Sequence, residues 1–240
     1  TSDLEGAVTC AAALSVTGAI EADAGLTVAE TLKVGTTSDL EGAVTCAAAL
    51  SVTGAIEADS TASVGGALSV TGAIEADATL KVAQTCDLEG AVTCAAALSV
   101  TGAIEADSTA SVGGALSVTG AIEADSTASI GGALSVTGAI EADAGLTVAE
   151  TLKVGTTSDL EGAVTCAAAL SVTGAIEADS TASVGGALSV TGAIEADSTA
   201  SIGGALSVTG AIEADAGLTV AETLKVGTTS DLEGAVTCAA

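Results

Sequence analysis

The chain is 240 residues long and sets 31 carboxylates against four lysines, for a net charge of −27, and it has no Phe, Trp, Tyr, Met, Pro, His, Arg or Asn. That charge repels nucleic acid and anionic lipid, and without bulky side chains an ordinary globular core cannot be filled. No uninterrupted apolar run reaches the length of about 18 residues that a membrane span needs. The expected partners on charge are therefore cations, basic proteins, or simply water and salt, with no nucleic acid and no membrane insertion.

The sequence reads as forty consecutive hexapeptides starting at Thr1, with nothing inserted between them. Position 4 of each hexad is Val, Leu, Ile, Ala or Cys, and position 3 is Ser, Thr, Glu, Asp or Lys. Position 2 is apolar except at Ser2, Ser38, Ser158 and Ser230, in the four TSDLEG copies. An in, out, in pattern over positions 2 to 4 is the two-residue period of a short strand with one buried face. Positions 5, 6 and 1 are rich in Gly, Ala, Ser and Thr, which allow a bend before the next strand. One hexad thus predicts one strand and one corner. A strand this short buries about two side chains, so it is stable only when many stack over a continuous core, which is the logic of a solenoid. An acidic chain without aromatics has the composition of a disordered one, but the strict alternation of β-branched residues argues against disorder here.

In chain order, residues 1–36 form a block, TSDLEG AVTCAA ALSVTG AIEADA GLTVAE TLKVGT. Residues 37–77 begin it again and insert a three-hexad theme, ALSVTG AIEADS TASVGG. At residues 79–90, TLKVAQ TCDLEG follows AIEADA directly, and the GLTVAE hexad is missing. Residues 91–144 repeat the theme, with TASVGG becoming TASIGG at Ile130; residues 145–168 return to the block, 169–216 repeat the theme and 217–240 close with the block. No linker or change of composition interrupts this series, so a single continuous solenoid is expected over 1–240. The first and last twelve residues are the same, TSDLEGAVTCAA, with no polar cap at either end. Solenoids normally carry caps, so the expectation is an excerpt of a longer array, or a unit that docks end to end.

The carboxylates show which hexads stack. They fall in pairs at positions 3 and 5: Asp3/Glu5, Glu21/Asp23, Asp39/Glu41, Glu57/Asp59 and Glu75/Asp77. After the missing hexad they resume at Asp87/Glu89, Glu105/Asp107, Glu123/Asp125, Glu141/Asp143, Asp159/Glu161, Glu177/Asp179, Glu195/Asp197, Glu213/Asp215 and Asp231/Glu233. Within each series every pair recurs at the third hexad after the last, so three hexads make one coil and one face in three is acidic. Between Glu75 and Asp87 the step is only two hexads, which moves the acidic stripe to another face.

The predicted fold is all-β, a parallel triangular β-helix whose 18-residue coil is made of three hexapeptides; the pattern leaves its handedness open. In a single chain, coils rising about 4.8 Å each would give a rod of roughly 64 Å, whereas a three-chain intertwined β-helix would reach roughly 190 Å. A single-chain coil holds a constant mixture of Leu, Val, Ile and Ala from level to level, and a symmetric trimer would alternate large and small levels. Uniform packing density favours the single chain. That choice brings stacked carboxylates within about 4.8 Å, close enough to repel even in water. It calls for bound cations, high salt or raised carboxylate pKa values.

The acidic ladder from Asp87/Glu89 to Glu213/Asp215 is the one constellation with metal chemistry. Oxygen-only ligands in a row suit Ca²⁺ or Mg²⁺ rather than zinc or iron, although neither an EF-hand loop nor a GGxGxD repeat is present. The plain alternative is a solvated face that keeps the solenoid soluble and laterally separated. Paired carboxylates also serve glycosidases, but no aromatic or Arg is available to hold a sugar, and no catalytic residue or enzymatic activity is expected. Outward S-x-T pairs such as Ser99/Thr101 and Ser117/Thr119 raise ice binding, without a maintained TxT row. The cysteines, Cys10, Cys46, Cys94, Cys166 and Cys238 at position 4 of AVTCAA and Cys86 at position 2 of TCDLEG, are inward positions. They read as small buried hydrophobes rather than bridges, with Cys86 and Cys94 the one close pair.

An apolar residue every six positions resembles the left-handed helix of hexapeptide-repeat acyltransferases, whose catalytic His is absent here. The run L-x-V-x-G-x-I-x-A from Leu98 to Ala106 resembles the winding of bactofilins, whose right-handed triangular helices polymerise end to end. Repeats similar in style occur in phage fibre and algal surface proteins. The resemblance implies a structural protein, the β-solenoid shaft of a filament or surface appendage, extracellular or at the cell surface, elongating through exposed strand edges that act as templates for another chain. The second expectation is an acidic rod that binds calcium or meets mineral or ice.

Overall fold

The computed structural model describes the backbone of residues 2–4 and, in full, residues 6–232 and 234–238. The chain divides into two compact units, residues 1–120 and 121–240, and each is a parallel β-solenoid built by one rule. Every hexad supplies a three-residue strand from its positions 2 to 4, as in Ile56–Ala58 and Leu68–Val70, and the described residues contain no helix. The central residue points outward and its neighbours inward: Glu57 is exposed while Ile56 and Ala58 are buried.

Within each unit the strands pair in parallel, each with the third strand after it. Leu50 faces Leu68, Ser51 faces Ser69 and Val52 faces Val70. Three hexads therefore close one coil, and successive coils of the same chain stack in register, so the solenoid is the single-chain form. In the first unit one sheet holds Ser2–Leu4, Ile20–Ala22, Ser38–Leu40, Ile56–Ala58, Ile74–Ala76, Val92–Cys94 and Ala110–Val112. The second sheet runs from Val8–Cys10 to Leu116–Val118, and the third from Leu14–Val16 to Ile104–Ala106. In the second unit the corresponding sheets run from Ala128–Ile130 to Val236–Cys238, from Leu134–Val136 to Leu224–Val226 and from Ile122–Ala124 to Ser230–Leu232.

The backbone ladder continues through the corners. The Gly54 N–H donates to the Thr36 carbonyl at 3.0 Å, and the Gly192 N–H to the Gly174 carbonyl at 3.0 Å, so groups that a tight stack would orphan are paired coil to coil. This proximity explains the glycines at positions 5 and 6 of the corners that lie over another coil. None among the described residues has a positive φ; instead, a Cβ on Gly72 would come within 2.5 Å of the Gly54 carbonyl carbon. The hexad pattern places these glycines at bends, but what demands glycine is the backbone of the coil beneath.

At the SDL strands the repeats exchange volume rather than change it. Ser38 stacks between Ile20 and Ile56, and Leu40 between Ala22 and Ala58. The small-then-large SDL strand thus complements the large-then-small IEA strands on either side, a nearly volume-conserving swap of the kind cores accept. It leaves one defect, because the hydroxyls of Ser38 and Ser158 are buried without a hydrogen-bond partner.

The missing hexad before TLKVAQ is absorbed as one whole strand. Glu75 lies on the first sheet, with Thr93 in the next coil, whereas Asp87 lies on the third sheet between Ser69 and Glu105. The acidic row changes face there while Leu80, Val82, Cys86 and Leu88 remain buried. Removing a strand and a corner together keeps the inward pattern intact.

Candidate functional site

The carboxylates at position 3 leave the centre of each strand pointing outward, and the three-hexad register sets them one above another. In the first unit Glu21, Asp39, Glu57 and Glu75 follow in order on the first sheet, with the backbone of Asp3 registered to Glu21; Asp87 and Glu105 adjoin on the third. In the second unit Glu123, Glu141, Asp159, Glu177, Glu195, Glu213 and Asp231 form an unbroken row. Neighbours in it are one strand spacing apart, about 4.8 Å. The position-5 partners Glu89, Asp107, Asp125, Asp143, Glu161, Asp179, Asp197 and Asp215 sit at the following corner and are all exposed. Glu5 and Glu233 lie outside the described residues.

Like charge along this row has a local consequence. Glu213, and then Glu177, hold the carboxyl of Glu195 above its ordinary pKa, because each added negative charge disfavours ionisation of its neighbour. The lysines do not relieve it. Lys153 stands between Ser135 and Ser171, and Lys225 beside Ser207, on a different sheet from the acidic row. In the first unit Lys33 stands between Ser15 and Ser51, and Lys81 between Ser63 and Ser99.

The remaining face of the second unit is uncharged along its central row: Ser129, Thr147, Thr165, Ser183, Ser201, Thr219 and Thr237. Reading the carboxylates alone misses this sorting of charge by face, although the order of hexads contains it. Each face of the unit has its own chemistry: carboxylates, hydroxyls, or hydroxyls with lysine.

Among the described residues, no group of three or more Asp, Glu or Cys side chains could hold a metal ion. The ladder is a row of exposed oxygens, distinct from a chelating pocket. The cysteines are free, with Cys46, Cys86, Cys94 and Cys166 buried, Cys10 partly covered and Cys238 exposed in the last described coil. Burial pushes the thiols of Cys46, Cys94 and Cys166 up to about 11. Burial, followed by Cys94 and Asp87, pushes Cys86 to about 12. Thiols held so far above neutral carry little thiolate and act as core filling.

No family model, curated protein or solved structure matches the chain. Of the resemblance to bactofilin, phage-fibre and algal repeats, only the repetitive parallel solenoid is borne out.

Proposed function

We propose that the chain is a structural protein, the β-solenoid shaft of a filament or surface appendage, extracellular or at the cell surface, that elongates by adding coil upon coil. The observation that supports this most is the in-register pairing of each strand with the third one after it, sustained through each unit while the outward side chains repeat as rows. A coil built by this rule offers the same backbone ladder and nearly the same apolar cross-section to any other coil. An unpaired edge of that kind is a template for further strands. The partner in this reading is another copy of the chain.

A second reading, an acidic cation-binding solenoid, is favoured by the row from Glu123 to Asp231 and by the raised pKa of Glu195. Electron microscopy of the purified chain, in calcium and then in chelator, separates the two. Filaments in both conditions support the shaft, and filaments lost on chelation support the cation-dependent reading. Compact, monodisperse particles without end-to-end contact overturn self-assembly.

A further inference from the structure

The row at position 2 on the first sheet of the second unit changes size abruptly. Leu146 is followed by Val164, then Ala182, Ala200 and Leu218, each stacked on the last. Two consecutive alanines thus occupy a position that the coils on either side fill with Val or Leu. The result is a cavity of about 30 Å³ along the interior, lined by these alanines, by Leu170, Leu188 and Leu206 of the second sheet, by Ile194 of the third, and by further aliphatic neighbours. A single buried water needs about 10–15 Å³ and two to four polar partners. This cavity has the volume for more than one water and no polar lining atom, so it is dry.

We propose that this cavity is a binding site for a small apolar molecule, of the class of xenon, dioxygen or a one- to two-carbon hydrocarbon. An apolar void loses dispersion contacts on its inner walls, and a molecule without hydrogen-bonding groups restores them with no desolvation cost. Ala182 and Ala200 are themselves only partly covered, and they belong to the TASVGG and TASIGG hexads, the repeats with the smallest side chains.

The first unit supplies an internal control. On its second sheet Ala62 stands alone between Val44 and Leu80, and the cavity there is about 10 Å³, at the lower limit for even one water.

The test is a xenon titration of the full chain, followed by methyl resonances in NMR. Saturable shifts are expected at Val184, Ile202, Leu188 and Leu206, with the methyls around Ala62 unmoved. The shifts should disappear in Ala182→Val/Ala200→Leu, which restores the residue sizes found in the neighbouring coils, and weaken in the milder Ala200→Val. Retention of the wild-type strand pattern in the variants shows that the loss comes from filling the cavity. Non-saturable shifts, shifts equal in the filled variant, or water cross-peaks from these methyls would each overturn the proposal.

Discussion

At Ser38 and Ser158 a hydroxyl is buried where most hexads place Leu, Ile or Val, and it has no partner in the core. Leaving such a group unsatisfied costs about 1–3 kcal/mol, whereas an apolar group of the same shape avoids that cost. Ser38→Ala and Ser158→Ala are therefore expected to hold or raise stability, by about 1 kcal/mol each, in denaturant titrations. A loss of that size would show a hydrogen bond that the packing does not reveal. The glycines divide on the same physical basis. A Cβ at Gly145 would sit 3.5 Å from the Ala163 carbonyl oxygen, ordinary contact, while one at Gly192 would collide with the Gly174 backbone. Gly145→Ala should be neutral or stabilise by about 0.5 kcal/mol through the unfolded chain, and Gly192→Ala should destabilise by about 1–3 kcal/mol, as overpacking does. Thermal melts of the two variants check the contrast, which disappears if corner glycines serve only to bend the chain.

Rows of strands, rather than single strands, set the electrostatics. Because Glu213 and Glu177 raise the pKa of Glu195 above its ordinary 4.5, the folded chain binds a proton there more readily than the unfolded chain does. Stability from this group is therefore fully present below pH 4.5 and is lost as pH rises through the higher folded value. Melting temperature should increase on acidification across that window, and Glu195→Gln should raise it at neutral pH and flatten the profile. A melting temperature that falls over the same window in the wild type but not in Glu195→Gln would contradict the assignment.

Much of this row is legible in the sequence, because a three-hexad step between carboxylates is a property of spacing alone, and so is the change of face where GLTVAE is missing. The reason for the corner glycines was hidden, since it depends on how near one backbone comes to the next. The cavity at Ala182 and Ala200 was hidden as well, because it depends on volumes summed over three sheets. The unpaired hydroxyl of Ser38 was visible as a polar residue at an inward position, but only packing shows that no partner reaches it.

On the scale of the whole chain, 31 carboxylates and four lysines oppose compaction, while every coil adds the same backbone ladder and aliphatic core. Salt shortens the reach of the repulsion, from about 10 Å at 0.1 M to about 3 Å at 1 M, and leaves the core contacts in place. Melting temperature should therefore rise with sodium chloride, and a fall would mean that ion pairs, rather than burial, hold the chain together.

Residues three hexads apart are neighbours, and from this the acidic row, the uncharged face and the stacking of further coils all follow. Dipolar spectroscopy on spin-label pairs in the second unit, with the chain's own cysteines replaced by alanine, measures that proximity. Labels at Ser171→Cys and Ser189→Cys should couple strongly, since their strands adjoin in register at about 4.8 Å. Labels at Ser171→Cys and Ser183→Cys, closer in sequence but on different sheets, should couple weakly. Stronger coupling for the second pair would contradict the three-hexad coil and everything argued from it.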